Sequence, residues 1–269
     1  MAAPLPGLRR RIRRHGTLLV PAAAVLVWTV CVGVTERGPG TGPLPPFHEI
    51  DQVAEKKQRF FDYLTPVIRA ENERIREQRE RLLEIAEARA AGEAPGWMAR
   101  RFLDRLAREY RVDAAAHDTA ALIDVLLERV DVIPRSLVLV QAAKESGWGS
   151  SRFARRANNL FGQWCFEPGC GLVPRNRPAG RTHEVRSFDT VRDAVASYVR
   201  NLNTHRSYEP LREVRAELRA ADRPLRGSEL ARGLGRYSER GDVYVREVRS
   251  MIRQNDLEGA APATESAGG

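Results

Sequence analysis

The chain has 269 residues, 42% of them hydrophobic, which suits one catalytic domain with smaller additional segments. Its formal net charge of +9 suits an anionic partner such as a membrane surface or a cell-wall polymer. Nucleic acid is not an expected partner, because the sequence has neither zinc-finger spacing nor a basic helix interleaved with base-stacking aromatic residues.

Residues 1–35 have the pattern of a membrane anchor. A cluster of arginines between Arg9 and Arg14 precedes an uncharged stretch from Thr17 to Val34. That stretch is at the short end of what spans a bilayer, and it is longer than the apolar core of a typical signal peptide. We therefore predict an uncleaved signal-anchor helix in the inner membrane, with the arginines in the cytoplasm and the rest of the chain on the periplasmic side. The alternative is a signal peptide that is removed.

Two segments separate this anchor from the globular part of the chain. Residues 36–50 are rich in glycine and proline, which predicts a flexible linker. Residues 51–93 are strongly charged, and their apolar residues recur at helical spacing. Because this apolar stripe thins after Ile75, we expect a charged helical stalk that packs near Phe60–Ile68 and then continues into solvent.

Residues 94–257 have the composition of a mainly helical catalytic domain. Asp118 suits an N-cap, and Gly147 suits the end of a helix. Before the helix that follows, Asp189 is favoured as an N-cap over a role as a catalytic base. The remaining predictions are helices over residues 97–110, 119–130, 135–146, 191–203 and 243–255, a loop or short hairpin over residues 165–185, and a disordered tail over residues 258–269.

Cys165 and Cys170 flank a turn-rich tetrapeptide. In an exported protein, two cysteines at this spacing favour a disulfide bond. The alternative is a metal site, which has weak support because no second pair of cysteine or histidine ligands occurs at ligand spacing. We therefore expect neither a metal nor a cofactor.

Glu145 is the leading candidate for a catalytic acid. It lies in the last predicted turn of an apolar helix, where burial and the negative end of the helix dipole both raise the pKa of a carboxyl group. Lys144 and Arg152 act in the opposite direction. A carboxyl group that stays protonated near neutral pH can donate a proton to the leaving oxygen of a glycosidic bond. The alternative is an ordinary surface glutamate near the end of a helix.

The segment that follows this helix contains residue types that suit a sugar ligand. Asn158 and Asn159 offer amide donors and acceptors for hydroxyl groups, while Trp148 and Trp164 offer flat apolar rings for sugar faces. Phe161 is more readily explained as a buried residue of a turn. We therefore predict that the two asparagines and the two tryptophans bind the substrate.

Two motifs resemble those of a known family. The run Glu145-Ser146-Gly147-Trp148-Gly149, followed by Asn158-Asn159-Leu160-Phe161-Gly162, resembles the bacterial glucosaminidase-domain family of endo-β-N-acetylglucosaminidase-like wall hydrolases. Residues 57–64 and 158–166 are similar to its Bax-type subgroup, and the resemblance extends over residues 52–255. The resemblance implies a mainly α, lysozyme-like α+β domain with a small β-lobe across a cleft.

The resemblance also implies roles for single residues. Glu145 matches the general acid of the family, and Glu184 matches a possible second carboxylate on the β-lobe. Tyr237 and Tyr244 fall where the family carries tyrosines near the groove, so we count Tyr237 with the catalytic residues and Tyr244 with the substrate-binding residues. His183 departs from the family pattern on the same lobe.

The expected function is hydrolysis of the β-1,4 bond after N-acetylglucosamine in peptidoglycan glycan strands, as part of cell-wall remodelling. Assistance by the N-acetyl group of the substrate would need no second carboxylate from the protein. The alternatives are a lytic transglycosylase and a non-catalytic wall-binding or scaffold protein. A zinc-dependent amidase is less favoured, because the five histidines show no ligand spacing.

Overall fold

The computed structural model describes residues 38–259. The predicted anchor at residues 1–35 lies outside this range, and inside it no helix has the length and apolar character to cross a membrane. The described part is mainly helical with one small sheet, which confirms the coarse fold class, while a lysozyme-like cleft stays a prediction. The elements are α1 (Val53–Ala90), α2 (Trp97–Glu109), α3 (Thr119–Arg129), α4 (Arg135–Ser146), α5 (Arg152–Ala157), β1 (Trp164–Cys165), β2 (Gly171–Leu172), β3 (Glu184–Arg186), α6 (Val191–Thr204), α7 (Glu209–Ala220), α8 (Gly227–Leu230) and α9 (Asp242–Gln254), with 3-10 turns at Phe47–Glu49, Ala114–Ala116, Arg206–Tyr208 and Ala231–Leu234.

Helix α4 lies in the core and determines where Glu145 is placed. Its residues from Ser136 to Ala143 are all buried, since few of them are polar and α1, α8 and α9 pack around them. Gly147 adopts a left-handed conformation with φ 58°, and its N–H donates to the carbonyl of Ala143. The predicted helix and its stop are confirmed, and the helix ends where Glu145 reaches the surface.

Helix α1 differs from the predicted stalk because it is an integral part of the core. It runs for 38 residues and packs against α3, α4 and α6. Leu82 is as fully buried as Phe60, so the packed face extends beyond Ile75. The prediction was wrong because a step of seven residues, from Ile75 to Leu82, returns to the same face of a helix. The turns after Leu82 lie largely in solvent.

Residues 38–50, which precede α1, also belong to the domain, in contrast to the flexible linker predicted for residues 36–50. Phe47 is buried, and its ring centroid lies 5.3 Å from that of Phe60 in α1. The carbonyl of Gly40 accepts a hydrogen bond from the backbone N–H of Arg192 in α6. Glycine and proline content alone was misleading here, because one large aromatic residue is enough to bind an extended segment to a core.

The small sheet has β3 in its centre, with β1 and β2 antiparallel on either side. Cys165 pairs with Glu184 in the β1–β3 register, and the predicted disulfide bond between Cys165 and Cys170 is confirmed. At the start of β2, a Cβ atom on Gly171 would lie 2.0 Å from the carbonyl oxygen of Val185. Glycine at this position therefore allows β2 to approach β3.

The capping prediction is confirmed at α3 and wrong by one residue at α6. The side chain of Asp118 accepts a hydrogen bond from the N–H of Ala121 at 2.9 Å. At α6 the N-cap is Thr190, which forms a reciprocal capping box with Asp193. Asp189 precedes this cap, so it is the threonine hydroxyl that reaches the free amide of the first turn.

The sequence did not predict α5, α7 and α8, whose apolar residues are few among many charged ones. Helix α7 is held by buried charges. The guanidinium of Arg215 is buried and donates to the carbonyls of Glu128 and Asp131, while Arg219 forms two hydrogen bonds with the Asp131 carboxylate at 2.8 and 3.0 Å. Buried arginine in an amphipathic pattern is thus part of the core of this protein.

The C-terminal boundary of the domain lies beyond residue 257. The carboxylate of Glu258 accepts hydrogen bonds from the hydroxyls of Ser136 and Ser228 at 2.7 and 2.6 Å. Glu258 is therefore part of the folded domain and not of the predicted tail, of which residues 260–269 lie outside the described residues.

Candidate active site

Glu145 lies at the end of α4, opposite the first turn of α9. Its Oε1 accepts a hydrogen bond from the hydroxyl of Tyr244 at 2.9 Å. Tyr244 is buried, and it is separated from Glu145 by 99 positions in the chain. The two predicted site residues are therefore brought together by the packing of α9 against α4.

A buried chain of hydrogen bonds supports this pair. The Nε2 of Gln141 donates to the hydroxyl oxygen of Tyr244 at 2.9 Å, and the Oε1 of Gln141 accepts from the hydroxyl of Tyr198. Because the Tyr244 oxygen already accepts this bond, its own proton points to Glu145. Oε1 of Glu145 is thus an acceptor, so a proton on this carboxyl group would lie on Oε2.

Four tyrosines lie near enough to Glu145 for its charge to act on their hydroxyl groups. Tyr237 stacks on Tyr244 at a centroid distance of 5.2 Å, and Tyr208 lies 5.9 Å from Tyr237. Burial and the nearby negative charge of Glu145 both raise the pKa of Tyr198, Tyr208, Tyr237 and Tyr244. These tyrosines therefore remain neutral hydroxyl donors at any physiological pH.

The pKa of Glu145 is raised, as the sequence predicts. Although the residue as a whole is exposed, neighbouring protein atoms remove solvent from its carboxyl group, and this desolvation is the main cause. The hydrogen bond from Tyr244 and the charge of Lys144 lower the pKa to a smaller extent. Lys144 is itself paired with Glu247 at 2.6 Å. A larger fraction of Glu145 is therefore protonated near neutral pH than of an ordinary glutamate, as a general acid requires.

Glu184 is engaged elsewhere. Its Oε1 accepts a hydrogen bond from the N–H of Gly169 at 3.1 Å, and its Oε2 accepts one from the N–H of Gly171 at 2.8 Å. These two bonds lower the pKa of Glu184 and hold the loop that the Cys165–Cys170 disulfide closes. Within residues 38–259, no hydrogen bond joins Glu184 to Glu145.

Asn158 and Asn159 both hold the backbone of the site segment through side-chain hydrogen bonds. Asn159 is buried; its amide nitrogen donates to the carbonyls of Gln163 and Arg186, and its oxygen accepts from two backbone N–H groups. The amide nitrogen of Asn158 donates to the carbonyls of Phe188 and Asp189. The predicted substrate contact of Asn159 is corrected accordingly, because its hydrogen-bonding capacity is fully used, whereas a substrate contact of Asn158 stays a prediction.

The two tryptophans differ in their surroundings. Trp148 packs edge-on against Phe60 and Phe61 of α1, at centroid distances of 5.8 and 5.2 Å, so what the structure shows is a packing role. Trp164 is 57% exposed on β1 and stacks on His183 at 4.3 Å. The exposed ring of Trp164 suits a sugar face.

Sequence reasoning missed Gln141, Tyr198 and Tyr208. Gln141 carried a usable signal, since it is a polar residue within an apolar helix and lies one turn before Glu145, on the same face. Tyr198 and Tyr208 carried none, because nothing local distinguishes a tyrosine in a site from one in a core.

The cysteines do not fit a metal ion. Sγ of Cys165, Sγ of Cys170 and a carboxylate oxygen of Glu184 lie within 4.8 Å of one another. Because the two sulfur atoms are joined in a disulfide, neither is available as a thiolate ligand. The disulfide bond instead links β1 covalently to the residue before β2.

Comparison with known proteins agrees with the motifs around Glu145. Residues 120–257 match the glucosaminidase family, described as mannosyl-glycoprotein endo-beta-N-acetylglucosaminidase. The chain is 34% identical over 212 residues to Protein bax of Escherichia coli (strain K12), which covers 79% of this chain and 74% of that protein. No solved structure matches significantly. Tyr244, Gln141 and Glu145 all fall within the matched region, and the chain belongs to the glucosaminidase family.

Proposed function

We propose that this protein is an endo-β-N-acetylglucosaminidase that hydrolyses the β-1,4 bond after N-acetylglucosamine in peptidoglycan. The observation that carries the proposal is the desolvated carboxyl group of Glu145, hydrogen-bonded on one oxygen by Tyr244. Membership of the glucosaminidase family supports glycosidase chemistry at this carboxyl group.

In the proposed reaction, Oε2 of Glu145 gives its proton to the bridging oxygen as the bond from that oxygen to C1 of the N-acetylglucosamine breaks. Positive charge then develops on C1 and the ring oxygen. The hydrogen bond from Tyr244 strengthens as Glu145 becomes a carboxylate, so it stabilises the transition state more than the ground state. A water molecule finally attacks C1 and returns a proton to Glu145.

A second carboxylate is not required by this proposal. Both oxygens of Glu184 accept backbone hydrogen bonds, which favours a role for Glu184 in holding the β1–β2 loop. The acetamido oxygen of the substrate can stabilise C1 in its place. Trp164 provides the stacking surface for a sugar ring, and Tyr237 supports Tyr244 by stacking.

The proposed location is the periplasmic side of the inner membrane, with residues 1–35 as a signal anchor. The support is the arginine cluster followed by the uncharged stretch from Thr17 to Val34. Two fusions to residue 259 test this location, one to a reporter enzyme that is active only in the periplasm and one to a reporter that is active only in the cytoplasm. Activity of the periplasmic reporter is expected, and activity of the cytoplasmic reporter alone would exclude the location.

A lytic transglycosylase is the second candidate. The specific observation in its favour is that Glu184 is bound to backbone amides, which leaves Glu145 as the carboxyl group placed among the tyrosines. Such an enzyme needs one acid–base group and uses a hydroxyl of the substrate in place of water.

The deciding experiment is mass spectrometry of the products from purified sacculi, with wild type beside Glu145→Gln. Reducing N-acetylglucosamine ends that are absent with the variant are the expected result. Anhydro-muramic ends would assign the protein to the transglycosylases, and an absence of products from both proteins would refute an autonomous hydrolase.

A further inference from the structure

A cavity lined by arginines lies between α5 and the loop after β2, on a surface that the proposed reaction does not use. It has a volume of about 490 Å³. Five residues, from Gly147 to Ser151, separate the helix that carries Glu145 from α5. The cavity is lined by Arg152, Phe153, Arg155, Arg156, Pro174, Arg175 and Asn176.

In the part of the chain that the structure describes, no acidic side chain neutralises the arginines of this cavity. Arg155, Arg156 and Arg175 are exposed, and within residues 38–259 their side chains form no hydrogen bond or ion pair. Arg152 is held differently, because it donates to the carbonyl of Val173 at 2.8 Å and covers the ring of Phe153. No acidic residue lines the cavity. Four guanidinium groups around one opening repel each other unless an anion is bound.

The size and the walls of the cavity favour a peptide carboxylate over a small inorganic anion. A volume near 490 Å³ is typical of sites for organic ligands. Phe153 and Pro174 add apolar surface between the charged groups, which suits short aliphatic side chains. The planar guanidinium group binds carboxylates through two parallel hydrogen bonds.

We propose that this arginine cavity binds the free carboxylates of the peptide stems of peptidoglycan while the glycan strand occupies the site at Glu145. This inference rests on the proposed function, since it assumes a glycan substrate that carries peptides. It makes the enzyme selective for peptide-bearing strands over bare glycan.

The test compares cleavage of glycan strands that carry their peptides with cleavage of the same strands after an amidase has removed them. The test variant is Arg155→Glu with Arg175→Glu. The matched control is Arg223→Glu with Arg253→Glu, which makes the same change of charge at exposed arginines outside the cavity. Thermal unfolding of each variant checks that the fold is retained.

The expected result is that wild type and the control variant prefer peptide-bearing strands by about tenfold, equivalent to ~1.4 kcal/mol. The test variant loses this preference. Equal ratios of the two rates in all three proteins would overturn the inference and leave the proposed function intact. If wild type cleaves neither kind of strand, the proposed function itself is refuted.

Direct binding tests the cavity independently of catalysis. Isolated stem peptide is titrated into the full protein, beside the same peptide with its carboxylates amidated and beside inorganic phosphate. Binding of the free peptide alone, weakened at least tenfold in the test variant, is expected. Equal binding of free and amidated peptide, or phosphate binding as tight as that of the peptide, would overturn the assignment.

Discussion

The hydroxyl of Tyr244 donates a hydrogen bond to Oε1 of Glu145 at 2.9 Å, and this bond joins α9 to the end of α4. The same tyrosine oxygen accepts from Gln141, so the direction of the bond is determined by a buried amide. This arrangement leaves Oε2 of Glu145 as the oxygen that can carry and release a proton.

Replacing Tyr244 by phenylalanine should shift the pH dependence of cleavage. The hydrogen bond from Tyr244 lowers the pKa of Glu145, so its loss raises that pKa further. Since the acid must be protonated, the alkaline limb of the pH–rate profile moves to higher pH, while the maximal rate falls with the loss of transition-state stabilisation. The measurement is kcat/KM against pH for Tyr244→Phe, with Tyr208→Phe as control. A limb that moves to lower pH contradicts the assignment of Glu145 as the acid.

Replacing Gln141 by leucine should destabilise the fold. The change leaves the buried hydroxyl of Tyr198 without its partner, at a cost of about 1–3 kcal/mol, and removes one of the two hydrogen bonds of the Tyr244 hydroxyl. Urea unfolding measures this loss. Adding Tyr198→Phe to Gln141→Leu should restore part of it, because the phenylalanine has no polar group left unpaired. Strictly additive losses would mean that the two residues do not interact.

Removing the carboxylate of Glu184 should lower stability and spare the chemistry. The Glu184→Ala variant loses both hydrogen bonds to the glycine amides, so the loop from 166 to 170 should become sensitive to proteolysis. Reducing sugar ends should still form. A variant of unchanged melting temperature whose kcat falls a thousandfold would instead make Glu184 a catalytic carboxylate.

The stabilisation by Glu184 should depend on pH with a defined sign. Its folded-state pKa is below that of an unfolded glutamate, so the folded state is stabilised wherever the carboxyl group is ionised. The difference in unfolding free energy between wild type and Glu184→Gln is therefore largest above about pH 4.3, the usual pKa of glutamate, and shrinks as the pH falls through the lowered pKa. Denaturant titrations at pH 7 and at acidic pH measure the two values, and a difference that grows on acidification contradicts this role.

Leu82 and Leu83 provide a matched test of whether the end of α1 belongs to the core. Leu82 is fully buried, whereas Leu83 is 39% exposed. We expect Leu82→Ala to cost about 2–5 kcal/mol of unfolding free energy, as for other buried leucines, and Leu83→Ala to cost less than about 1 kcal/mol. Equal effects of the two substitutions would mean that this part of α1 is the solvated stalk predicted from the sequence and not part of the core.

The sequence by itself determined the features that depend on nearby residues. Asp118 caps α3, and Gly147 ends α4, because a cap needs only a side chain within a few positions of a free amide or a residue that tolerates positive φ. The short spacing of Cys165 and Cys170 likewise predicted their disulfide. The motif around Glu145 indicated the family in the same local way.

Only the tertiary structure decided which side chains meet. Tyr244 reaches Glu145 from 99 positions away, and the carboxylate of Glu184 meets the amides of Gly169 and Gly171 from 15 and 13 positions away. Periodicity places Leu82 on one face of α1, but burial of that face depends on α3 and α4 being packed against it. The physical reason is common to all three: hydrogen-bond partners and desolvation arise from contacts between distant segments, and the local pattern of a segment does not contain them.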